Sequence, residues 1–209
     1  MLASIFRDSA AYVDRYFAQV DALRQHIPVT LYLAEGDSTD GTWVVLNERT
    51  TDDDYLFQIA HGGPKFGSVN NPQRWKQIAY VCNGLLDSIP QQGNLIYVES
   101  DLIWEPETML TLLGDLTVVD AVAPQSVTGS RFYDTWGYRT MEDKHFPGYV
   151  LPDGPLIEIL SAGSCIAMRP EVYRDCRFTE DEGIVGFGKE IHKEGMKLFL
   201  DPSVKVVHP

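Results

Sequence analysis

The chain has 209 residues, with 17 Lys and Arg against 30 Asp and Glu and a formal net charge of −13. At 44% hydrophobic and 22% charged residues it is neither a disordered nor a fibrous sequence. Folding at this length buries roughly 70% of the unfolded chain's surface, enough for a core without metal or disulfide support.

The acidic balance opposes non-specific binding to a phosphate backbone, but leaves room for one basic pocket for a small phosphate-bearing ligand. Cys82, Cys165 and Cys176 are odd in number and form no C-x-x-C pair, which reads as a reduced, cytoplasmic protein. No run approaches the ~18 apolar residues of a membrane span, and the first residues lack a signal-peptide core.

Residues 2–6 are a short apolar run. Asp8 or Ser9 then caps a helix whose Tyr12, Val13, Tyr16, Phe17, Val20 and Leu23 recur at helical spacing. Pro28 ends it. Residues 29–34 read as a buried strand, 42–48 as a short helix and 55–60 as a strand; 61–72, rich in glycine and proline, is a mobile loop. A second helix follows, with Trp75, Ile78, Ala79, Cys82, Leu85 and Leu86 on one face. Then come a strand at 94–98, a helix at 106–113, a strand at 118–123 and an irregular aromatic stretch at 130–155. A strand at 162–168, one turn at 170–174, a helix at 185–194 and strands at 197–200 and 204–207 complete the chain. This alternation predicts one α/β domain over 1–209 with a largely parallel sheet, whose ligands sit at the carboxyl ends of the strands.

Three strand ends carry chemistry. Glu35-Gly36-Asp37-Ser38-Thr39-Asp40-Gly41-Thr42 follows the second strand; it can contact a base or ribose, and it is also good helix-capping turn chemistry. It is not a calcium loop, because Gly36 would fall at the first ligand position. Glu99-Ser100-Asp101 puts two carboxylates past an apolar strand, where they can reach a ribose and a hard divalent cation, or form a solvated turn. The terminal Asp201-Pro202-Ser203-Val204-Lys205-Val206-Val207-His208 offers a nitrogen ligand after the last strand.

In this order the motifs resemble the GT-A nucleotide-sugar glycosyltransferases, specifically the family-2-like group, over nearly the whole chain. Residues 34–42 (AEGDSTDGT) are similar to that family's DDGSTDGT turn, and 96–106 (IYVESDLIWEP) to its D-x-D strand end. Residues 187–209 look like its last helix, DP turn and closing strand. The resemblance implies a GT-A, Rossmann-like three-layer sandwich. It also implies hexosyl transfer from a nucleoside diphosphate sugar to an acceptor hydroxyl, with Mn2+ or Mg2+ held by Asp101 and His208. Arg7, Glu35, Asp37, Arg74, Glu99 and Ser100 fall to the nucleotide side. Arg74 and Asn83 match an R-x(8)-N helix in fungal-type mannosyl- and xylosyltransferase relatives, which puts Arg74 near the diphosphate.

Two departures matter. The D-x-D is Glu99-Ser100-Asp101 here, so Asp101 is the metal ligand and Glu99 the ribose contact. The family's Glu-Asp pair before the last helix corresponds to Glu180-Asp181-Glu182, although counting back from Gly195 puts that run two or three residues upstream. Asp181 is the first candidate base, then Glu182, then Glu180; the run also reads as a solvated acidic turn. Tyr133, Asp134 and Trp136 are sugar-site candidates because aromatic faces stack on sugars and carboxylates accept from hydroxyls, and Ser164 lies on the small-residue strand lining the donor sugar.

Two other readings compete. A sugar-phosphate nucleotidyltransferase needs a glycine-rich loop where this chain has Arg7-Asp8-Ser9-Ala10. A non-catalytic nucleotide- or carbohydrate-binding GT-A domain would keep these residues without turnover. A nucleic-acid acceptor is disfavoured by the charge.

Overall fold

The computed structural model describes residues 1–67, 69–146 and 151–209. Position 68 of the expected loop and positions 147–150 of the expected irregular stretch lie outside the described residues. In chain order the elements are β1 (Leu2–Phe6), α1 (Ala10–Arg24), β2 (Leu31–Glu35), α2 (Thr42–Arg49), β3 (Tyr55–Gln58), α3 (Pro72–Asp87), β4 (Leu95–Val98) and α4 (Pro106–Asp115). They continue with β5 (Ala121–Thr128), β6 (Arg131–Phe132), β7 (Ile157–Glu158), β8 (Cys165–Met168), α5 (Pro170–Asp175), α6 (Ile184–Lys193) and β9 (Leu198–Val207).

The strands form one mostly parallel sheet in the order β3-β2-β1-β4-β8-β5-β9-β7, with β6 paired to β5. β8 runs against β4 and β5, and β7 against β9. β2 and β4 are buried throughout, as strands covered on both faces must be. One face packs on α3 and α6 through Cys82, Leu85, Tyr97 and Phe187; the other packs on α1 and α4 through Tyr16, Phe17, Ile96 and Leu112. The result is the expected three-layer α/β arrangement.

α1 buries Val13, Tyr16, Phe17, Val20 and Leu23. Tyr12, read as part of that face, is 37% exposed and lies under the Arg15 guanidinium. Ser9 stands at the N-cap position, but its side chain makes no capping hydrogen bond. The Ala10 N–H donates instead to Asp40, whose other oxygen accepts from Thr42. One carboxylate therefore serves the starts of α1 and α2, a contact no local reading could supply. α3 is capped conventionally, Asn71 accepting from Gln73 N–H with Pro72 at the first helical position.

Several boundaries moved. The strand expected at 118–123 starts later and runs further: residues 118–120 continue the turn after α4, with Val118 and Val119 N–H donating to Asp115 C=O, and β5 begins at Ala121 and runs to Thr128. The two terminal strands are one, β9. Its register against β5 jumps from Pro124↔Asp201 to Gln125↔Lys205, since Pro202 has no N–H to pair.

Ile103 and Val207 exchange two backbone hydrogen bonds, 2.8 and 2.7 Å, and His208 N–H donates to Val127 C=O. These bonds fasten the end of β9 beside the turn that follows β4. β1, β2, β4 and β9 all end at this edge of the sheet.

Candidate functional site

Because of that fastening, the side chains of Asp101 and His208 face each other, with Oδ2 3.3 Å from Nε2. Arg15 of α1 donates to the Asp101 carbonyl and holds the turn from below. The Asp101 carboxylate, mainly by its hydrogen bond, raises the His208 imidazole above the usual histidine range. One face of that imidazole is covered by Tyr133, with ring centroids 4.0 Å apart.

His208 of the pair lines one of two adjoining chambers that form a cleft. The larger, about 390 Å³, reaches His208, Tyr133, Asp134 and Ser164. The smaller, about 210 Å³, is lined by Arg7, His61, Lys65 and Gln77. Arg74, Ile78 and Glu99 line both. Arg74 has no hydrogen-bond or ion-pair partner among the described residues. Its guanidinium lies 4.5 Å from the Trp75 ring. Burial lowers its pKa, and the charges of Glu99 and Asp134 oppose that.

Glu99 sits on the wall between the chambers, its backbone N–H held by the Ser164 carbonyl at 2.9 Å. Burial, then the nearby Asp101 and Asp134 charges, push its carboxyl up to about 7. Burial also raises Asp134, against the pull of the Gly137 N–H, which donates to it at 2.9 Å. The Ser164 hydroxyl draws both carboxyls the other way. Gly137 and Gly163 cradle Asp134. A Cβ on Gly137 would come 2.6 Å from its carboxylate, and one on Gly163 would overlap it.

Of the expected nucleotide-side residues, Arg74 and Glu99 reach the joint of the chambers and Arg7 reaches the smaller one. Arg7 is engaged, donating to Gly63 C=O at 2.7 Å, to Pro64 C=O at 3.2 Å and to His61 Nε2 at 2.9 Å. It holds the 61–64 segment across the chamber. Glu35 is buried and accepts from Ser38 N–H. Asp37, in left-handed conformation, accepts from His61 and Gly62 N–H. Ser100 is buried beside Ser9. These three shape the turns beneath the cleft and do not line its wall.

The acidic run lies between Phe178 and Ile184, which do line the larger chamber, directly before α6. Glu180 lies 3.8 Å from Lys76 and Glu182 2.8 Å from Lys189. Asp181 makes no ion pair among the described residues, and the Thr179 hydroxyl, first, holds it below the usual carboxylate range.

Trp136 lies at the cleft, but not as an open platform. It stacks on Trp75 with centroids 4.4 Å apart and planes within 3°, and Arg139 lies 5.7 Å from its centroid. Trp75 covers one face of the ring, which is therefore not free to stack on a sugar. Tyr133, stacked on His208, is 40% exposed and lines the larger chamber.

His61, Lys65, Gln77, Trp75 and Phe178 were not singled out as site residues from sequence. The available signal was Asn83, whose amide donates to Phe178 C=O and accepts from its N–H, placing Phe178 against α3.

Asp101 and His208 could hold a divalent cation. Carboxylate and imidazole are suitable donors, and two protein ligands leave octahedral positions for water and phosphate oxygens. Among the described residues no group of three or more His, Cys, Asp or Glu forms a complete cage, so such an ion would depend on its substrate for the remaining ligands. The three cysteines are free and buried. Among the described residues no helix is long and apolar enough to cross a membrane.

No family model matches the chain, and no curated protein sequence matches it. Solved structures do. The mannosyltransferase PcManGT from Pyrobaculum calidifontis, in complex with GDP-Man and Mn2+, aligns over 99% of this chain and 55% of its own at 16% identity, TM-score 0.64. GalNAc-T7 with UDP, GalNAc and Mn2+ aligns over 99% and 43% at 14% identity, TM-score 0.65. Glucosyl-3-phosphoglycerate synthase from Mycobacterium tuberculosis aligns over 99% and 69% at 14% identity, TM-score 0.62. The chain thus spans about half the length of the first two. All three are GT-A glycosyltransferases, and this chain has their fold.

Proposed function

We propose, from the premise of a GT-A glycosyltransferase fold, that this chain transfers a sugar from a nucleoside diphosphate sugar to an acceptor hydroxyl in a metal-dependent reaction of hexosyltransferase type. The observation that carries this reading is that His208, paired with Asp101, and Arg74, without a partner among the described residues, line the same two-chambered cleft.

The roles follow from position. Nucleoside and diphosphate occupy the smaller chamber and the joint, where Arg74 donates to the diphosphate and Glu99 accepts from a ribose hydroxyl. The sugar enters the larger chamber, where Asp134 and Ser164 meet its hydroxyls and Tyr133 packs on its C–H surface. Asp101 and His208 would hold Mn2+ or Mg2+, which supplies Lewis-acid compensation for charge on the departing diphosphate. Arg74 adds a second positive charge at that place without having to reorganise. At the rim, Asp181 takes the acceptor hydroxyl's proton if the reaction inverts the anomeric centre; Glu180 and Glu182 are held by lysines and serve less well.

The test is a melting-temperature panel with UDP, GDP, CDP and ADP, each with and without Mn2+, on the native protein and on Asp101→Ala. A ligand bound only by the folded state must raise the midpoint. A Mn2+-dependent rise with one diphosphate, absent in the variant, is expected and names the donor base; release of that diphosphate from the matching donor sugar then establishes turnover. No rise with any of the four sinks the reading. A rise without turnover leaves a binding domain.

A further inference from the structure

Trp75 and Trp136 belong to different parts of the fold. Trp75 sits in the first turn of α3, one residue after Arg74, with its Nε1–H donating to Asn70 at 3.0 Å. Its ring packs on Gly183, where a Cβ would come 3.0 Å from it. Trp136 is at the tip of the turn that carries Tyr133 and Asp134. Arg139 secures that tip, donating from Nε to the Trp136 carbonyl at 2.8 Å and placing its guanidinium over the indole. Between them the two indoles stack at 4.4 Å, nearly parallel, with Arg74 and Arg139 as flanking cations.

We infer that this stack is a clasp: Trp136 is a positioning residue that holds the Tyr133–Asp134 turn at a set distance from Arg74 and so fixes the width of the larger chamber. Offset aromatic stacking combined with cation–π contact favours one separation and one tilt. Asp134 and Arg74 are not joined to each other by a hydrogen bond or ion pair among the described residues, so their relative position depends on contacts such as this one. The turn is otherwise tied to the sheet, by Tyr133 N–H to Ser126 C=O and Arg139 N–H to Ser161 C=O, while α3 packs on a face of the same sheet and is tied to Phe178 through Asn83. The clasp joins the turn to α3 directly. It also consumes indole faces that could otherwise stack on a sugar. The structural part of this inference stands without the transferase reading; the catalytic part rests on it.

The test compares Trp136→Leu and Trp136→Phe with the native protein by circular dichroism, hydrogen exchange and, where the donor is known, kinetics. Stacked indoles give a coupled dichroic signal. The Leu variant should lose it and should exchange faster over residues 131–139, a sign of local opening, while keeping its diphosphate-dependent rise in melting temperature. Its kcat should fall by about a hundredfold, the scale of a small misplacement near a reacting centre, with KM for the donor nearly unchanged. The Phe variant, which keeps a stacking ring, should recover most of that loss. Native-like exchange over 131–139 in the Leu variant overturns the clasp. So does a loss that appears in diphosphate affinity and not in kcat. If the native protein binds no diphosphate, the transferase reading fails while the exchange experiment still decides the clasp.

Discussion

Asp101 Oδ2 and His208 Nε2 meet at 3.3 Å because the Ile103–Val207 bridge brings the last strand back onto the turn after β4. Tyr133, stacked on the imidazole, orients the same ring. Replacing His208 with Ala should therefore weaken Mn2+-dependent diphosphate binding at least as much as losing a supporting contact to a metal ligand does, about ten- to a hundredfold. Tyr133→Ala should act in the same direction, by no more than that. Titration calorimetry with UDP or GDP at fixed Mn2+ checks both; unchanged affinity in His208→Ala removes the imidazole from the site.

Arg7 and Arg74 both line the cleft, but only Arg74 lacks a partner among the described residues. A hydrogen bond to a charged group contributes about 1.5–3 kcal/mol, so Arg74→Ala should lower diphosphate affinity about ten- to a hundredfold. Arg7→Ala should instead release the 61–64 segment from its carbonyl contacts. Faster proteolysis or exchange there, with a smaller affinity loss, is the expected pattern. The reverse pattern would exchange the two roles.

Among the three acids before α6, only Asp181 makes no ion pair among the described residues. If it is the base, Asp181→Asn should reduce kcat about 10²- to 10⁴-fold, whereas Glu180→Gln, at an exposed and screened pair, should change it little. Equal losses in the two variants, or none in either, would point to a reaction that needs no base at this rim.

The layers and strand ends were legible in the sequence because they depend on local pattern. Near-continuous apolar strands, a helical repeat such as Val13-Tyr16-Phe17-Val20 and turns built on Gly41 each report on their own neighbourhood. What escaped was contact across the fold. Nothing near Ser9 says that Asp40 caps its helix, and nothing near Trp136 says that Trp75 will cover it. Arg7 looks like a free cation until residues 61–64 arrive to use it. The same holds for Glu35 and Asp37. Their turn does what capping chemistry does, and its oxygens are satisfied by nearby and cross-loop N–H groups.

Far from the cleft, the Asp115 carboxyl sits at the carboxyl end of α4 with one oxygen buried and unpartnered among the described residues, facing Asp201. Burial, then the Asp201 charge, push it up to about 6 from an ordinary 3.8. The helix end, negative by its aligned peptide dipoles, also disfavours a second negative charge. Asp201 is already engaged by Ser203 N–H and hydroxyl. Between about pH 4 and 6 the folded chain therefore binds more protons here than the unfolded chain, and stability from this pair falls as pH rises through that window. Below pH 4 both states are protonated and the penalty vanishes; above pH 6 it is fully present. Asp115→Asn keeps the shape without the charge, so it should raise the melting temperature at pH 7.5 and change it little at pH 4. A shift of equal size at both pH values would show that packing, not charge, is what the substitution alters.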